Sequence, residues 1–352
     1  MRFAASLSLL LTVACASSLT PIPEAWRTVP EAPPITDLCA RVTCAEKPKS
    51  NVRIAGGKLV NGAKELTPAF AAIQSFDVSL DRGEVVFSAK RGDNFDVGLV
   101  STDGSEIHWI PSERVDETDV QWAPRGNKVS FVVHTPRGDV VRTVHIPTAA
   151  RLSVDFAGAQ VDALAWDPPA EHYSVVVESP EASQRVESTK YGGEERRTVV
   201  PPAERLDVAT EPFAGSLLLR PSAIRYGETL PIVVWLDEYP LRWSDARAAL
   251  MRSVRVAVAV TSKSPDAAFW NEVSKTKWID DKRMYVVGAR GGAPAASGSA
   301  GRAAARPYKL IIEDTSVPEG FYRDEGGVVR VGKVQSFAAG YIAHELSTNG
   351  IR

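Results

Sequence analysis

The sequence lacks a basic block and has almost no excess charge. Its 352 residues contain 41 Lys and Arg against 43 Asp and Glu, which gives a formal net charge of −2. Nucleic acids and anionic membrane surfaces are bound by concentrated positive charge. We therefore expect no nucleic-acid partner. With 44% hydrophobic residues, a chain of this length can form two domains with cores of their own.

A membrane-spanning run is lacking near the N-terminus. The apolar stretch Phe3–Val13 is too short to cross a bilayer; it follows Arg2 and precedes small residues around Cys15. This order is typical of a secretion signal, so residues 1–15 are predicted to be a signal peptide and the protein to be exported. The stretch Leu11–Cys15 resembles a bacterial lipoprotein signal, in which Cys15 carries the lipid. A plain cleavage site that discards Cys15 is the alternative.

The segment that follows favours the lipoprotein interpretation, because it has the composition of a tether. Residues 16–50 contain six prolines and no sustained periodicity. They are predicted to form a mostly extended linker between the anchor and the body. The expected location is the outer membrane, facing the periplasm.

Cysteine and histidine are scarce. If Cys15 is lipidated or removed, Cys39 and Cys44 remain as a pair in an oxidising compartment, which predicts a local disulfide. A zinc site is disfavoured because two thiolates do not fill its ligand shell and no histidine lies near them. The five histidines are scattered without ligand spacing. We therefore predict no metal site and no cofactor.

Residues 51–212 have the pattern of an all-β domain. Short runs rich in Val, Ile, Phe and Trp alternate with Gly- and Pro-containing turns. A repeat is anchored by Phe76, Trp122 and Trp166, which are 46 and 44 residues apart, close to the span of one four-stranded propeller blade. Each unit is similar to the blades of TolB-like propellers, so the sequence predicts a β-propeller-like domain whose aromatic anchors lie in the blade cores.

An ordinary β-sandwich with recurring turns is the alternative to blades. Only three blades are clear, whereas roughly four to eight close a propeller. Residues 51–75 and 183–215 are candidates for a further, degenerate blade; otherwise the ring is open or incomplete.

Residues 213–352 change to the pattern of an α/β domain. Continuous apolar runs are typical of strands that are buried on both faces, and helix-like segments lie between or after them. The predicted strands are Leu217–Leu219, Ile232–Leu236, Val254–Val260, Met284–Val287 and Leu310–Ile312. The predicted helices are Ser244–Ser253, Ala267–Lys277 and Ser336–Leu346. A mainly parallel sheet between helices, a three-layer arrangement, is the expected fold.

One stretch of this domain has the layout of a nucleophile elbow. A β-rich run leads into Gly288-Ala289-Arg290-Gly291-Gly292, where α/β-hydrolases have G-x-S-x-G with the nucleophilic serine in the middle. The middle residue here is Arg290, whose guanidinium has no lone pair with which to attack.

Four further segments, in order, resemble the prolyl oligopeptidase family, which has a propeller followed by a catalytic α/β-hydrolase domain. They are similar to the strand before the oxyanion loop, the segment before the elbow, and the loops that carry the triad Asp and His. The segments are Leu230–Trp235, Trp278–Met284, Glu313–Pro318 and Tyr322–Gly327.

The resemblance implies a triad that this sequence does not supply. The matching positions hold Arg290, Asp314 and Gly327, so only the orienting carboxylate is present, and a triad also needs a hydroxyl and an imidazole. The oxyanion-loop equivalent is Asp237-Glu238-Tyr239, whose two carboxylates would oppose a developing oxyanion. No histidine occurs between His172 and His344.

The spacing predicts a shortened sheet. Only 21 residues separate Gly292 from Asp314, where a functional hydrolase builds a further strand and helices, so about five or six strands are expected. His344 shares the apolar face of the last helix and is expected to pack against the sheet. Ser297, Ser299 and Ser316 are the candidates for a displaced nucleophile. The loop acids Asp237, Glu238, Asp324 and Glu325 would also suit a metal site or a glycosidase, but we favour the interpretation that they are solvated surface charges.

These observations predict an exported, lipid-anchored, non-catalytic binding or scaffolding protein of the bacterial envelope, with a protein or peptide partner. The alternative is a serine hydrolase or peptidase of the prolyl oligopeptidase family with displaced catalytic residues. A third possibility is that the α/β part only stabilises a propeller that alone binds.

Overall fold

The computed structural model describes residues 19–27, 33–125, 127–289, 291–292, 308–334 and 337–348. A short strand, β1 (Thr20–Pro21), comes first. A three-stranded antiparallel sheet follows, with strands β2 (Val52–Ala55), β3 (Lys58–Asn61) and β4 (Lys64–Glu65). The predicted signal peptide, including Cys15, lies outside the described residues, as do Arg290, Ser297 and Ser299.

Three four-stranded antiparallel sheets come next, and they are propeller-like blades. The first blade has β5 (Ile73–Ser79), β6 (Glu84–Arg91), β7 (Asn94–Ser101) and β8 (His108–Trp109). The second has β9 (Glu117–Trp122), β10 (Lys128–Thr135), β11 (Gly138–His145) and β12 (Ala150–Ala157). The third has β13 (Gln160–Trp166), β14 (His172–Ser179), β15 (Ala182–Lys190) and β16 (Arg197–Val200). The predicted repeat is therefore confirmed as successive blades.

Each of these sheets packs face to face on the next one. Leu59 of the three-stranded sheet shares a core with Phe87 of the first blade. Val86 and Phe131 join the first blade to the second, and Val141 and Tyr173 join the second to the third. The predicted anchors lie in these cores: Trp122 and Trp166 are buried, and Phe76 packs against the first core.

The two candidate regions for a further blade have different outcomes. Residues 51–75 contain the three-stranded sheet β2–β4 and the start of the first blade. Residues 183–215 do not form another blade in the described structure. They supply parts of the third blade and β17 (Val208–Phe213) of the next sheet.

The C-terminal part is built on one nine-stranded sheet. After β17 its strands are β18 (Ser216–Pro221), β19 (Leu230–Leu236), β20 (Ala257–Thr261), β21 (Ile279–Gly288), β22 (Tyr308–Glu313), β23 (Phe321–Glu325) and β24 (Val328–Val331). The order is β1-β23-β24-β22-β21-β19-β20-β18-β17. The five central strands, β24-β22-β21-β19-β20, run parallel. Each strand outside them pairs with its neighbour in the antiparallel direction.

The prediction of five or six strands, made from the short spacing between Gly292 and Asp314, was wrong because the continuous apolar runs of the sequence do not include the edges of the sheet. Those runs correspond to the buried centre of the sheet. The edges are made by a half-exposed hairpin, β23–β24, by β17, and by β1 from the N-terminal segment. These edge strands contain too few buried side chains to give a continuous hydrophobic signal.

Helices cover both faces, which gives three layers. They are α1 (Asp245–Ser253), α2 (Ala267–Lys275) and α3 (Ala338–Thr348). The core on one face contains Leu250 of α1 and Ile342 of α3, whereas the other contains Phe269 and Val273 of α2. Side chains cap two helix starts: Ser244 Oγ accepts the N–H of Arg247 at 3.3 Å, and Asp266 Oδ1 accepts the N–H of Phe269 at 2.9 Å.

The segment predicted to be an extended linker is docked on the body instead. Strand β1 pairs with β23, and Trp26 lies so close to α3 that a Cβ added at Gly340 would be 2.3 Å from the Trp26 Cα. The Trp26 ring lies 4.9 Å from that of His344. His344 is exposed, so the expectation that it packs against the sheet was wrong: Trp26 covers one side of its ring.

Ile35, Leu38 and Val42 of that segment pack on the third blade. Cys39 and Cys44 form the predicted disulfide, with Cα atoms 5.4 Å apart. Leu38 in the same loop is buried against Val176 and Val186 of the blade. Within the described residues, no helix is both long and apolar enough to cross a membrane.

Candidate functional site

The carboxyl ends of the parallel strands place three predicted site segments along one edge. Leu236 of β19 is paired with Gly288 of β21, and Gly288 is paired with Ile312 of β22. The loop after β19, the turn after β21 and the loop after β22 therefore leave the sheet side by side. Parallel α/β sheets bind their ligands at this edge.

The turn after β21 is as tight as a nucleophile elbow. The N–H of Ala289 donates to Leu236 O at 2.7 Å, and the N–H of Gly292 donates to Ala289 O at 2.7 Å. Gly291 has φ 85°, and a Cβ added at Gly292 would be 2.1 Å from Leu236 O. Gly291 and Gly292 are therefore both required by the backbone of the turn.

The oxyanion-loop equivalent uses its donors internally. Asp237 is fully buried, and its Oδ1 accepts the N–H of Tyr239 at 3.0 Å. Glu238 is exposed, and its Oε2 would lie 3.1 Å from a Cβ at Gly291. The Tyr239 ring faces the guanidinium of Arg242 at 5.1 Å. The Tyr239 N–H is thus engaged by a carboxylate, and Glu238 adds negative charge beside the turn.

Asp314 is paired with an arginine. Its Oδ2 lies 3.2 Å from Nη1 of Arg330, and its Oδ1 accepts the N–H of Ser316 at 2.9 Å. The hydrogen bonds from Ser316, followed by the Arg330 guanidinium, hold the pKa of this carboxyl below its usual range. A carboxylate held in this way is satisfied without an imidazole.

Gly327 lies at the other edge of the sheet. It has φ 102° in the turn between β23 and β24, and its carbonyl accepts the N–H of Leu310 near the start of β22. Asp314 follows the end of β22, so the length of a strand separates the two positions. The structure therefore brings Asp314 and the turn at Gly291 to one edge but does not bring Gly327 to them.

A second concave surface lies where the third blade meets the loop after β19. This junction cleft has a volume of about 380 Å³. Its apolar wall includes Pro33, Ile35 and Trp243, and its polar wall includes Glu178 and Gln184. The cleft is thus formed jointly by the N-terminal segment, the blade and the α/β part.

Charged contacts hold this junction in place. Arg242 Nη2 donates to Asp162 Oδ1 at 2.6 Å, and its Nε donates to Gln160 Oε1 at 2.9 Å. The backbone N–H of Trp243 donates to Glu178 Oε1 at 2.8 Å. The fully buried Arg247 donates to the carbonyls of Arg242 and Pro180 at 2.5 and 3.4 Å. Charge-assisted bonds of this kind fix geometry.

Sequence reasoning missed this junction. Asp162 and Arg242 are 80 residues apart, and neither belongs to a local motif, so no sequence signal pairs them. Within the described residues, no group of three or more His, Cys, Asp or Glu is placed to hold a metal ion.

Comparison with known proteins gives a fold likeness only. No protein-family model matches the chain. No curated protein matches it either. Among solved structures, it is similar to prolyl oligopeptidase B from Galerina marginata, bound to a 35mer hydrolysis and macrocyclization substrate, with 12% identity and a TM-score of 0.51. That match covers 72% of this chain and 43% of the other.

It is also similar to dipeptidyl peptidase 4 from Porphyromonas gingivalis, with 11% identity and a TM-score of 0.49 over 72% of this chain and 44% of that one. The chain therefore spans less than half the length of these two structures. The likeness to the Galerina protein supports an arrangement of propeller-like blades followed by an α/β part.

Proposed function

We propose that this protein is a non-catalytic binding or scaffolding protein of the bacterial envelope, exported and anchored by a lipid on Cys15. The observation that carries the proposal is the placement of its histidines, all of which are described. Four lie in the blades. The fifth, His344, lies on α3 next to Glu345. The Glu345 carboxylate bonds Lys309 near the start of β22, which places this part of α3 away from the carboxyl edge. A hydroxyl at that edge has no imidazole as its base.

The loops at the edge support the same proposal. Asp237 engages a backbone N–H that an oxyanion would need, and Asp314 is paired with Arg330. Catalysis of acyl transfer depends on preorganised donors aimed at the developing negative charge. Here the carboxylates of Asp237 and Asp314 are already bonded within the protein itself.

The junction cleft is the surface proposed for the partner, which is a protein or a peptide. Its volume of about 380 Å³ falls in the range of natural ligand sites. The contacts of Arg242 and Arg247 hold its walls together, so the surface is formed before a partner arrives. Preformed surfaces lose less entropy on binding.

A pair of arginine substitutions tests the cleft. Ala203 lines the cleft and is exposed. Tyr226 is also exposed, but it lies in the turn between β18 and β19 and does not line the cleft. In co-purification from the native envelope, Ala203→Arg is expected to lose partners that the wild type and Tyr226→Arg both retain. Equal recovery of the same partners by all three proteins would remove the cleft from the proposal.

The anchor is tested separately. Cys15→Ala is expected to move the protein from the membrane fraction to the soluble fraction of the envelope. Unchanged membrane association would remove the lipid anchor but leave the binding proposal standing. The rival function, a serine hydrolase with displaced residues, requires a reactive hydroxyl and is tested by covalent labelling.

A further inference from the structure

A chain of polar contacts crosses the second blade from the first blade to the third. His134 on β10 lies opposite Asp139 on β11, with Nδ1 3.0 Å from Oδ1. Its Nε2 lies 2.7 Å from Oγ1 of Thr118 on β9, and that hydroxyl lies 2.9 Å from Oδ2 of Asp119. Hydroxyl, imidazole and carboxylate are thus in hydrogen-bond reach in one row.

Both ends of this chain are attached to neighbouring blades. Asp119 donates its N–H to Oε1 of Gln74 in the first blade at 3.1 Å, and Gln74 Nε2 donates back to Asp119 Oδ1 at 3.4 Å. Asp139 Oδ2 accepts the N–H of Val161 in the third blade at 2.8 Å. Asp119 has φ 52°, an uncommon conformation for a residue other than glycine.

The groups facing the imidazole all favour its charged form. They are the carboxylates of Asp139, Asp119 and Asp116, and the His134 backbone N–H also donates to Asp116 O at 2.9 Å. Burial opposes the charge, but the hydrogen bond and charge of Asp139, helped by the other two carboxylates, outweigh it. The pKa of His134 is therefore raised above its ordinary value.

The single hydroxyl proton of Thr118 links the two ends. When the imidazole is charged, both ring nitrogens donate, so Thr118 Oγ1 accepts from Nε2 and donates its own proton to Asp119. When the imidazole is neutral and Nδ1 keeps its proton for Asp139, Nε2 is an acceptor and draws the Thr118 proton away from Asp119. Loss of one proton at His134 thus removes a donor from Asp119.

We propose that His134 operates a proton-dependent latch between the blades. The charged imidazole sets the Thr118 hydroxyl toward Asp119 and fixes the contact of Asp119 with Gln74; the neutral imidazole releases it. The latch holds while the imidazole is charged and loosens as the pH rises through its pKa. Catalysis is not its role, because Thr118 is only 7% exposed and a substrate carbonyl does not reach its hydroxyl.

Urea unfolding of the full mature protein between pH 6 and pH 9 tests the latch. A raised histidine pKa stabilises the fold fully below the unfolded value of about 6.5, and this contribution is lost as the pH rises. The wild-type unfolding constant is expected to rise by up to about tenfold per pH unit in this window. His134→Gln should show a smaller rise, because it lacks the histidine contribution. Glu117, the other group expected to titrate nearby, is present in both proteins, so the difference isolates the imidazole.

His145→Gln is the matched control, because His145 also contacts a threonine: its Nδ1 lies 2.8 Å from Thr148 Oγ1, in an exposed hydrogen bond at the end of β11. It should keep the wild-type pH dependence. The proposal would be overturned if His134→Gln kept the wild-type dependence of the unfolding constant on pH, or if His145→Gln lost as much of that dependence as His134→Gln.

A second measurement applies if His134→Gln does not fold. In the wild type, nuclear magnetic resonance should show His134 titrating above about 6.5, and protection of the Asp119 amide from exchange should fall at the same pH. Thr118→Val should keep the titration but uncouple the amide from it, whereas Thr118→Ser should preserve the coupling. Titration of His134 below its ordinary pKa, or constant Asp119 protection across its titration, would contradict the latch.

Discussion

The carboxyl edge of the parallel sheet and the middle of the second blade each have one half of what a catalytic triad needs. The edge has the backbone of a hydrolase elbow, with its tight turn at Gly291 and Gly292, but Asp314 there is bonded to Arg330. The blade has no hydrolase backbone, yet Thr118, His134 and Asp139 lie in a row within hydrogen-bond distance. The elbow-like backbone and the row of hydroxyl, imidazole and carboxylate thus lie in different parts of the chain.

The difference shows why neither feature alone indicates catalysis. A nucleophile must be exposed beside preorganised donors, and its base must be oriented toward it. The edge supplies an accessible turn without an imidazole. The blade supplies an oriented imidazole, but the hydroxyl that it faces is buried.

The largest expected effect is at the elbow. Gly292→Ala places a methyl group 2.1 Å from the carbonyl oxygen of Leu236, and that carbonyl also accepts the N–H of Ala289. We expect a loss of roughly 3 kcal/mol or more in the free energy of unfolding, because the backbone must move. Urea unfolding measures it.

Gly227→Ala is the control for this change. Gly227 has φ 75° and no atom within 4 Å of an added Cβ, so only backbone strain of about 1 kcal/mol is expected. Equal losses in the two variants would mean that the elbow is not tightly packed.

The next largest effect is at the buried carboxylate of the blade. Asp139 is 2% exposed and serves both His134 and the N–H of Val161. Asp139→Ala leaves both donors without this acceptor, and we expect a loss of about 2–3 kcal/mol. Asp155→Ala, an exposed position on the same blade, should change stability by less than about 0.5 kcal/mol. A small loss at Asp139 would make the row in the blade incidental.

Glu117 gives the second blade a further pH dependence of stability. Its side chain is fully buried, with Oε1 3.6 Å from Nη1 of Arg142, and burial raises its pKa to about 7 against the opposing charge of Arg142. Stability is therefore full below the ordinary glutamate pKa of about 4.3 and falls as the pH rises toward 7. Glu117→Gln should flatten this part of the stability profile. Persistence of the slope in thermal unfolding from pH 4.5 to pH 7 would assign it to another group.

The smallest effect is at the edge. Arg330→Ala removes a partly exposed ion pair with Asp314, and we expect less than about 1 kcal/mol of destabilisation. The pKa of Asp314 should rise but stay below its usual range, because Ser316 contributes the first of the hydrogen bonds that lower it. Carbon-13 chemical shifts of the carboxyl follow this titration. A fully ordinary pKa in the variant would make Arg330 the dominant partner.

Local patterns were sufficient for much of the fold. The aromatic repeat at Trp122 and Trp166 predicted successive blades, and the run at Ile232–Leu236 predicted a buried parallel strand, because both signals come from side chains packed in a core. Ser244, predicted as the start of a helix, caps α1. These signals are local, and the sequence contains them directly.

What sequence reasoning missed depends on contacts between distant or aperiodic segments. The proline-rich segment gives no periodicity, so the docking of Trp26 against Gly340 was not predictable. The bond between Arg242 and Asp162 joins two parts with no shared motif. The pairing of His134 with Asp139 was accessible, since the turn Pro136-Arg137-Gly138 between them indicates a hairpin in which they lie opposite each other.

The most direct test of the central claim, that the hydrolase-like edge is not catalytic, is labelling of the purified protein with a fluorophosphonate probe. Intact mass and peptide mapping would report any modified residue, with heat-unfolded protein as the control for nonspecific reaction. We predict no specific labelling of the wild type, and no ester or peptide hydrolysis by Arg290→Ser. Specific labelling of any serine, or of Thr118, in the folded protein would contradict the account.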